Sequence, residues 1–388
     1  MLRVTGRILV RRAGVQEIKQ TLDIPKVTTA IQPQPMFYDP YPDFVPRNEF
    51  ILEQNPHWML GHMNQAKVKI PKVMKTVDVI VEVRDARAPL TTAQFELSQF
   101  AKEYEHKQRL VVLNKADLVT PKVALKAKEL IESQGLACIT TSAVSEHKIV
   151  KIKEFIVENI EVKYKSIGLW SMLIGLPNMG KSSIINALKK TAENEAFYTK
   201  HNDDTIKGIS RNEARTNKNP GTTEKIDRFM ICGKPKIFMF DTPGVTFLKD
   251  RLDPERNLRL AALGILPDHL TGEMYIADYI LWRLNRARKF DYVDVLELDG
   301  PTDSSQFLVT KLATVLSRNK RQSDVDLLAG ARMFIRLFRE AKLGKICLDD
   351  IPNTDQVTAA VSLEFETEPP GPWGPSCYPK QTWMRALV

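Results

Sequence analysis

LWSMLIGLPNMGKSSIINALKK, residues 169–190, runs from an apolar stretch through a turn bounded by two glycines into a helical pattern. Leu169 to Ile174 reads as a buried strand and Ser182 to Lys190 as a helix. The turn between them, Gly175 to Ser182, fits the phosphate-binding pattern GxxxxGK[ST] in the strand-turn-helix context that gives the pattern its meaning. Each position has a chemical reason. Gly175 and Gly180 let backbone N–H groups turn inward around phosphates, Lys181 reaches the β and γ phosphates, and the Ser182 hydroxyl is offered to Mg²⁺. Asn178, Met179, Gly180, Lys181, Ser182 and Ser183 are therefore the expected phosphate-side contacts.

Working outward, strands and helices alternate. Val77 to Val83, Arg109 to Leu113 and Ala137 to Thr140 read as strands, and Lys122 to Gln134 and Val150 to Asn159 as helices. Downstream, Lys236 to Phe240 is a further strand ending at Asp241. This is α/β patterning with a doubly wound parallel sheet. The polar stretch from about 200 to 225 is long and poor in apolar residues, as functional loops are.

A phosphate loop alone leaves ATP and GTP equally open. Asn114-Lys115-Ala116-Asp117 follows a strand and resembles the guanine-specificity motif NKxD, in which the Asp carboxylate accepts from guanine N1 and the 2-amino group. Adenine cannot supply those donors, and a base that leaves a buried acceptor unpaired is strongly rejected. Ser142 and Ala143, in Thr141-Ser142-Ala143 after the next strand, resemble the SA motif that contacts the guanine oxygen. Asp241-Thr242-Pro243-Gly244 closes its strand and resembles DxxG, in which the Asp holds Mg²⁺ through water and the Gly N–H senses the γ-phosphate.

The order of these motifs is informative. Base recognition at 114 and 141 precedes phosphate binding at 175, 223 and 241, the reverse of ordinary GTPases. The expected fold is a circularly permuted P-loop GTPase domain at 51–250, followed by an α-helical domain at 251–360. That cut places the second switch directly before the helical domain, so loss of the γ-phosphate could move that domain as a body. Its candidate helices are Leu258 to Leu263, Gly272 to Ala287, Ser305 to Leu316 and Asp324 to Lys342. In the last, Leu327, Phe334, Ile335 and Phe338 are expected on one face, with Arg332, Arg336 and Arg339 on another that either grips RNA phosphates or is merely solvated.

The chain has 388 residues, 43% hydrophobic and 27% charged, with a formal net charge of +9. This suits a core-forming protein with a phosphate-rich partner. No apolar run is long enough to span a bilayer. Cys138, Cys232, Cys347 and Cys377 lie too far apart for metal or disulfide patterning and are expected to act as small hydrophobes. Residues 1–25 carry Arg3, Arg7, Arg11 and Arg12 before the first acid at Glu17, the composition of a mitochondrial presequence or of a basic disordered terminus. A Pro-rich segment, 26–50, follows it. The tail, 361–388, contains PPGPWGP and is expected to be disordered.

Together these motifs resemble the circularly permuted GTPases that assist assembly of the large ribosomal subunit. The resemblance covers about residues 55–264. It includes HWMLGHM at 57–63 against that family's WFPGHM and VRDAR at 83–87 against its VDAR, and it returns more weakly at 324–350. It implies several roles. Thr223 of Pro220-Gly221-Thr222-Thr223 would be a Mg²⁺ ligand beside Ser182 and Asp241, and Asn178 would hold a K⁺ ion. His62 is implicated in catalysis, although a packed or capping histidine is the equal alternative. Val245 stands where Ras-like proteins have a water-orienting Gln, so hydrolysis needs other help. The implied partner is the mitochondrial large ribosomal subunit with its rRNA, in late assembly or, alternatively, in translation regulation by a scaffold with little hydrolysis. The expected location is the mitochondrial matrix, with a peripheral place at the inner membrane the variant of it, and the expected state is a monomer.

Overall fold

The computed structural model describes residues 39–52, 70–93, 107–160, 168–198, 226–233, 235–244, 253–320 and 326–352. The expected presequence at 1–25, the polar stretch at about 200–225, His62, Thr223, Val245 and the tail at 361–388 lie outside them. The chain falls into two units, Met1–Asp43 and Phe44–Val388, and all the elements below belong to the second.

Six strands form one sheet in the order β3-β2-β1-β4-β6-β5. They are β1 (Val79–Asp85), β2 (Gln108–Asn114), β3 (Ala137–Thr140), β4 (Leu169–Ile174), β5 (Asp227–Gly233) and β6 (Lys236–Asp241). Five run parallel, and β1, with all seven residues buried, is covered on both faces: Val79, Ile80, Val81 and Val83 supply its apolar part. Its one acidic interior residue, Glu82, is wholly buried and paired with Arg84 at 2.7 Å and with Arg109. β5 departs from the expected parallel sheet: it is antiparallel to β6 at the edge. Its alternating exposed and buried residues carry little apolar signal because only one face is covered, and a short connection to β6 permits only a hairpin.

Helix α1 (Pro121–Ser133) begins at a proline, which fits the first helical position, and buries Ala124, Ala127, Leu130 and Ile131 at helical spacing against the sheet. Cys138 shares that core and its thiol is pushed up to about 12 by burial, so it does act as a small hydrophobe. α2 (Val150–Asn159) buries Ile152 and Ile156, and α3 (Lys181–Tyr198) starts at the phosphate-loop lysine.

Beyond the sheet come α4 (Pro254–Ala262), α5 (Asp268–Thr271), α6 (Glu273–Arg286), α7 (Asp291–Val295), α8 (Ser305–Lys320) and α9 (Leu327–Arg339). Asp253 caps α4 by accepting from the Glu255 and Arg256 amides, and Asp326 caps α9 by accepting from Ala329. α6 is the hub: nine of its fourteen residues are buried, and α4, α8 and α9 pack around it. Phe50, from the Pro-rich lead-in, stacks among Tyr275, Tyr279 and Trp282 of α6. Among the described residues no helix is long and apolar enough to cross a membrane.

The expected faces of α9 need correction. Phe334, Ile335 and Phe338 are buried as expected, but Leu327, in the first turn beyond the packed core, is 38% exposed. Arg332 and Arg336 face solvent and pair with Glu273 and Glu340, whereas Arg339 turns inward. Its guanidinium donates to the Ala261 and Ala262 carbonyls at the end of α4 and to Asp268. Helix-end carbonyls and an acid offered acceptors that solvent could not better, so Arg339 is a structural clamp.

Candidate nucleotide-binding site

The parallel strands end on one edge, and the chain order reverses between neighbours β1 and β4. In sheets of this kind ligands sit outside the strand ends at that switch point. Every described motif residue emerges there: Asp85 from β1, Asn114 from β2, Ser142 after β3, Gly175 after β4 and Asp241 from β6.

On the phosphate side, Lys181 is 6% exposed and its ammonium donates to the Gly175 carbonyl at 3.1 Å and the Leu176 carbonyl at 3.0 Å. Burial pushes its pKa down to about 8, with Asp241 opposing that shift. Ser182 Oγ donates to Asp241 Oδ2 at 2.6 Å. Asp241 is 2% exposed, and burial raises its pKa in spite of Ser182 and Lys181. Its Oδ1 is buried without a hydrogen-bond partner among the described residues. A buried acceptor without a donor is costly, and a hydroxyl beside a carboxylate is an oxygen donor set suited to a hard divalent cation. Gly180 sits at φ 86°, where a side chain would strain the turn and strike the Asn114 amide.

On the base side, Asn114 fastens the two halves together. Its Nδ2 donates to the Met179 carbonyl at 2.8 Å, and its Oδ1 accepts from the Ala143 amide at 3.1 Å. Lys115 adopts φ 61° and its ammonium donates to Asp85 at 2.9 Å, while Asp117 is exposed and reachable by a base. Ser142 is buried, and its hydroxyl accepts from the Ser145 amide. Thus residues far apart in sequence, 114–117, 142–143, 178–183 and 241–244, meet at one edge. Asn178, at φ 60°, donates from its amide to the Gly264 carbonyl at 2.5 Å, linking the loop to the end of α4.

VRDAR at 83–87 carries no chemical role legible from its residues alone. Asp85 and Arg87 in fact fill the space under Lys115 and reach the helices, with Arg87 Nη1 donating to the Arg339 carbonyl at 3.2 Å. An ion pair two residues apart at the close of a fully buried strand was the available signal.

Residues 171–294 match the model of the family described as 50S ribosome-binding GTPase. Mitochondrial ribosome-associated GTPase 1 of Ictalurus punctatus is 30% identical over 323 residues, covering 78% of this chain and 94% of that protein. The Mus musculus protein of the same name is 31% identical over 311 residues, covering 75% and 89%. Among solved structures, GNP-bound YlqF from T. maritima aligns at 22% identity with a TM-score of 0.48, covering 74% of this chain and 99% of that one.

Proposed function

The chain belongs to the family of mitochondrial ribosome-associated GTPases, and from that premise we propose that it binds and hydrolyses GTP on the mitochondrial large ribosomal subunit to promote late assembly. The observation that carries this reading is the convergence of Asn114, Lys181, Ser182 and Asp241 on one sheet edge, with Asp117 open beside them.

In this reading Asp117 accepts from guanine N1 and the 2-amino group, and the Ala143 amide turns from Asn114 Oδ1 to the guanine oxygen. Lys181 leaves its two carbonyl partners for the β and γ phosphates, and the 178–183 amides surround them, with Gly244 beside the γ-phosphate. Ser182 and the unpartnered oxygen of Asp241 are suited to Mg²⁺, with Thr223 supplied from the loop beyond the described residues. Bound there, the cation stabilises negative charge on the phosphate oxygens. Asn178 would take K⁺ through its amide oxygen, and His62 would serve hydrolysis in place of the missing Gln.

The helical part, 251–360, would face rRNA, with exposed Arg332 and Arg336 as its phosphate contacts. A mitochondrial protein by kinship, it would work in the matrix as a monomer. The test measures GTP turnover with and without mitochondrial large subunits, in K⁺ and then in Na⁺ buffer, alongside cosedimentation with a non-hydrolysable analogue. Stimulation by the subunit and cosedimentation are expected. Val245 favours the second reading, a GTP-dependent regulatory scaffold, and cosedimentation without stimulated turnover would establish that instead. Absence of cosedimentation overturns both.

A further inference from the structure

Asp85 ends β1 fully buried and directly opposite Asn114 in the register with β2. Its Oδ1 accepts from the Arg87 amide at 3.0 Å and from Arg87 Nε at 2.9 Å. Its Oδ2 accepts from Arg87 Nη2 at 2.8 Å and from Lys115 Nζ at 2.9 Å. Burial opposes the charge, but Arg87 and then Lys115 outweigh it and hold the carboxyl well below the usual range. The pair it serves is unusual in two ways. Lys115 is a non-glycine residue in the left-handed region, a conformation that persists only where surroundings enforce it, and it lies within the motif that reads the base. Arg87, in turn, ties β1 to the C-terminal part: Nη1 reaches the carbonyl of Arg339, the last residue of α9, at 3.2 Å, and the amide of Leu348, beyond that helix, donates to the Arg87 carbonyl at 2.7 Å. The Arg339 side chain then clamps the end of α4. A continuous hydrogen-bonded chain therefore runs from Lys115 through Asp85 and Arg87 to α9 and α4, and it touches neither Lys181, Ser182 nor Asp241.

We propose that Asp85 is a positioning residue for guanine recognition, holding Lys115 in its left-handed conformation beside the base, and that Arg87 links this position to α9 so that base binding and the placement of the helices are coupled. The proposal rests on the guanine-nucleotide reading above and adds to it a route that bypasses the second switch. Asp85 itself holds Lys115 of the base-reading motif, whereas the phosphate loop meets only the far end of the chain, through Asn178 at the Gly264 carbonyl, so loss of the Asp85 contacts weakens ligands in proportion to their use of the base. A general loosening of the fold would weaken every ligand alike.

Calorimetric titration of the full chain with GDP and with inorganic pyrophosphate, both in Mg²⁺ buffer, separates the two. Asp85→Asn is expected to raise the Kd for GDP about tenfold or more while leaving that for pyrophosphate within about twofold, since charge-assisted contacts are being lost on one side only. In a Lys115→Met background the same change is expected to add nothing further for GDP. Hydrogen exchange provides the second arm, independent of whether Asp85→Asn folds. GDP is expected to slow exchange at residues 336–348 in the wild type and to lose that effect in Arg87→Gln. Equal weakening of GDP and pyrophosphate, an unchanged GDP affinity, or no effect of GDP on 336–348 in the wild type overturns the proposal. Wild-type protein that binds no guanine nucleotide overturns the functional reading itself, whereas tight wild-type GDP binding that survives Asp85→Asn sinks this inference alone.

Discussion

The Ser182 hydroxyl donates to Asp241 across 2.6 Å, although the two residues are 59 apart in the chain, one in the first turn of α3 and the other at the end of β6. That bond occupies one carboxylate oxygen and leaves the other buried without a partner among the described residues. The arrangement suits a cation and is unfavourable without one. Asp241 has a raised pKa in the fold, so it contributes stability below its unfolded pKa and that contribution is lost as pH rises through the folded value. At neutral pH the ionised group weakens the nucleotide-free protein. Asp241→Asn keeps an acceptor for Ser182 and removes the charge. It is expected to raise the nucleotide-free Tm by roughly a few degrees, while GTP turnover falls by about a hundredfold or more. Thermal melts paired with single-turnover hydrolysis check both, and a lowered Tm would refute the electrostatic argument.

Lys181 gives a prediction in pH. Its folded pKa of about 8 lies below the ordinary 10.5, because burial disfavours the charged ammonium. Between those values the native state binds fewer protons than the unfolded chain, so this residue makes the empty protein gain stability as pH rises through that window and lose it as pH falls through about 8. Phosphates replacing the two carbonyl partners restore the charge. Nucleotide binding near pH 8 is therefore expected to take up roughly half a proton. Calorimetry in buffers of differing ionisation enthalpy measures that uptake, and Lys181→Met is expected to abolish it.

How much of this was legible in the sequence varies with the range of the interaction. The parallel strands and α1 could be read because their apolar runs and helical spacing are local consequences of burial on one or two faces. The phosphate loop and the guanine motif could be read because phosphate and base chemistry demand particular residue types at fixed spacing. β5 could not be read, since a half-exposed edge strand needs only three or four apolar residues and its pairing comes from β6. Arg339 was misplaced for a related reason. Helical periodicity put it with Arg332 and Arg336, but the carbonyls at the end of α4 and Asp268, brought in from a different part of the chain, turned it inward. Asp85 was visible as a residue yet silent as a function until Lys115 and Arg87 were seen to share it.

Asp117 is exposed at the edge of the crevice, next to a Lys115 whose backbone is already fixed. If its carboxylate accepts from the guanine N1 and 2-amino groups, Asp117→Asn should reverse the preference in favour of xanthine nucleotides, whose 2-oxo group accepts where the 2-amino group donates. The expected change is a loss of GTP affinity by about a hundredfold or more with a gain for xanthosine triphosphate. Competition binding of the two nucleotides reads it directly. An unchanged preference would remove the guanine assignment and leave only a phosphate site.

Gly244 closes the DxxG segment against the phosphate loop. A Cβ there would lie 2.6 Å from both the Cα and the nitrogen of Pro177, atoms of a backbone that cannot rotate away. Relief requires the two loops to separate, and the separation falls between the segment that would meet the γ-phosphate and the loop that would hold the other phosphates. Gly244→Ala is therefore expected to lower GTP turnover by about tenfold to a hundredfold through lost positioning and to leave GDP affinity nearly unchanged, because the base contacts and the amides at 178–183 do not involve Gly244. A modest fall in Tm should accompany it, since the displaced loops no longer pack as closely. Single-turnover hydrolysis and GDP titration on the same preparation distinguish this from general damage, which would weaken both. Turnover at the wild-type rate would mean that the close approach of Gly244 to Pro177 has no part in the reaction.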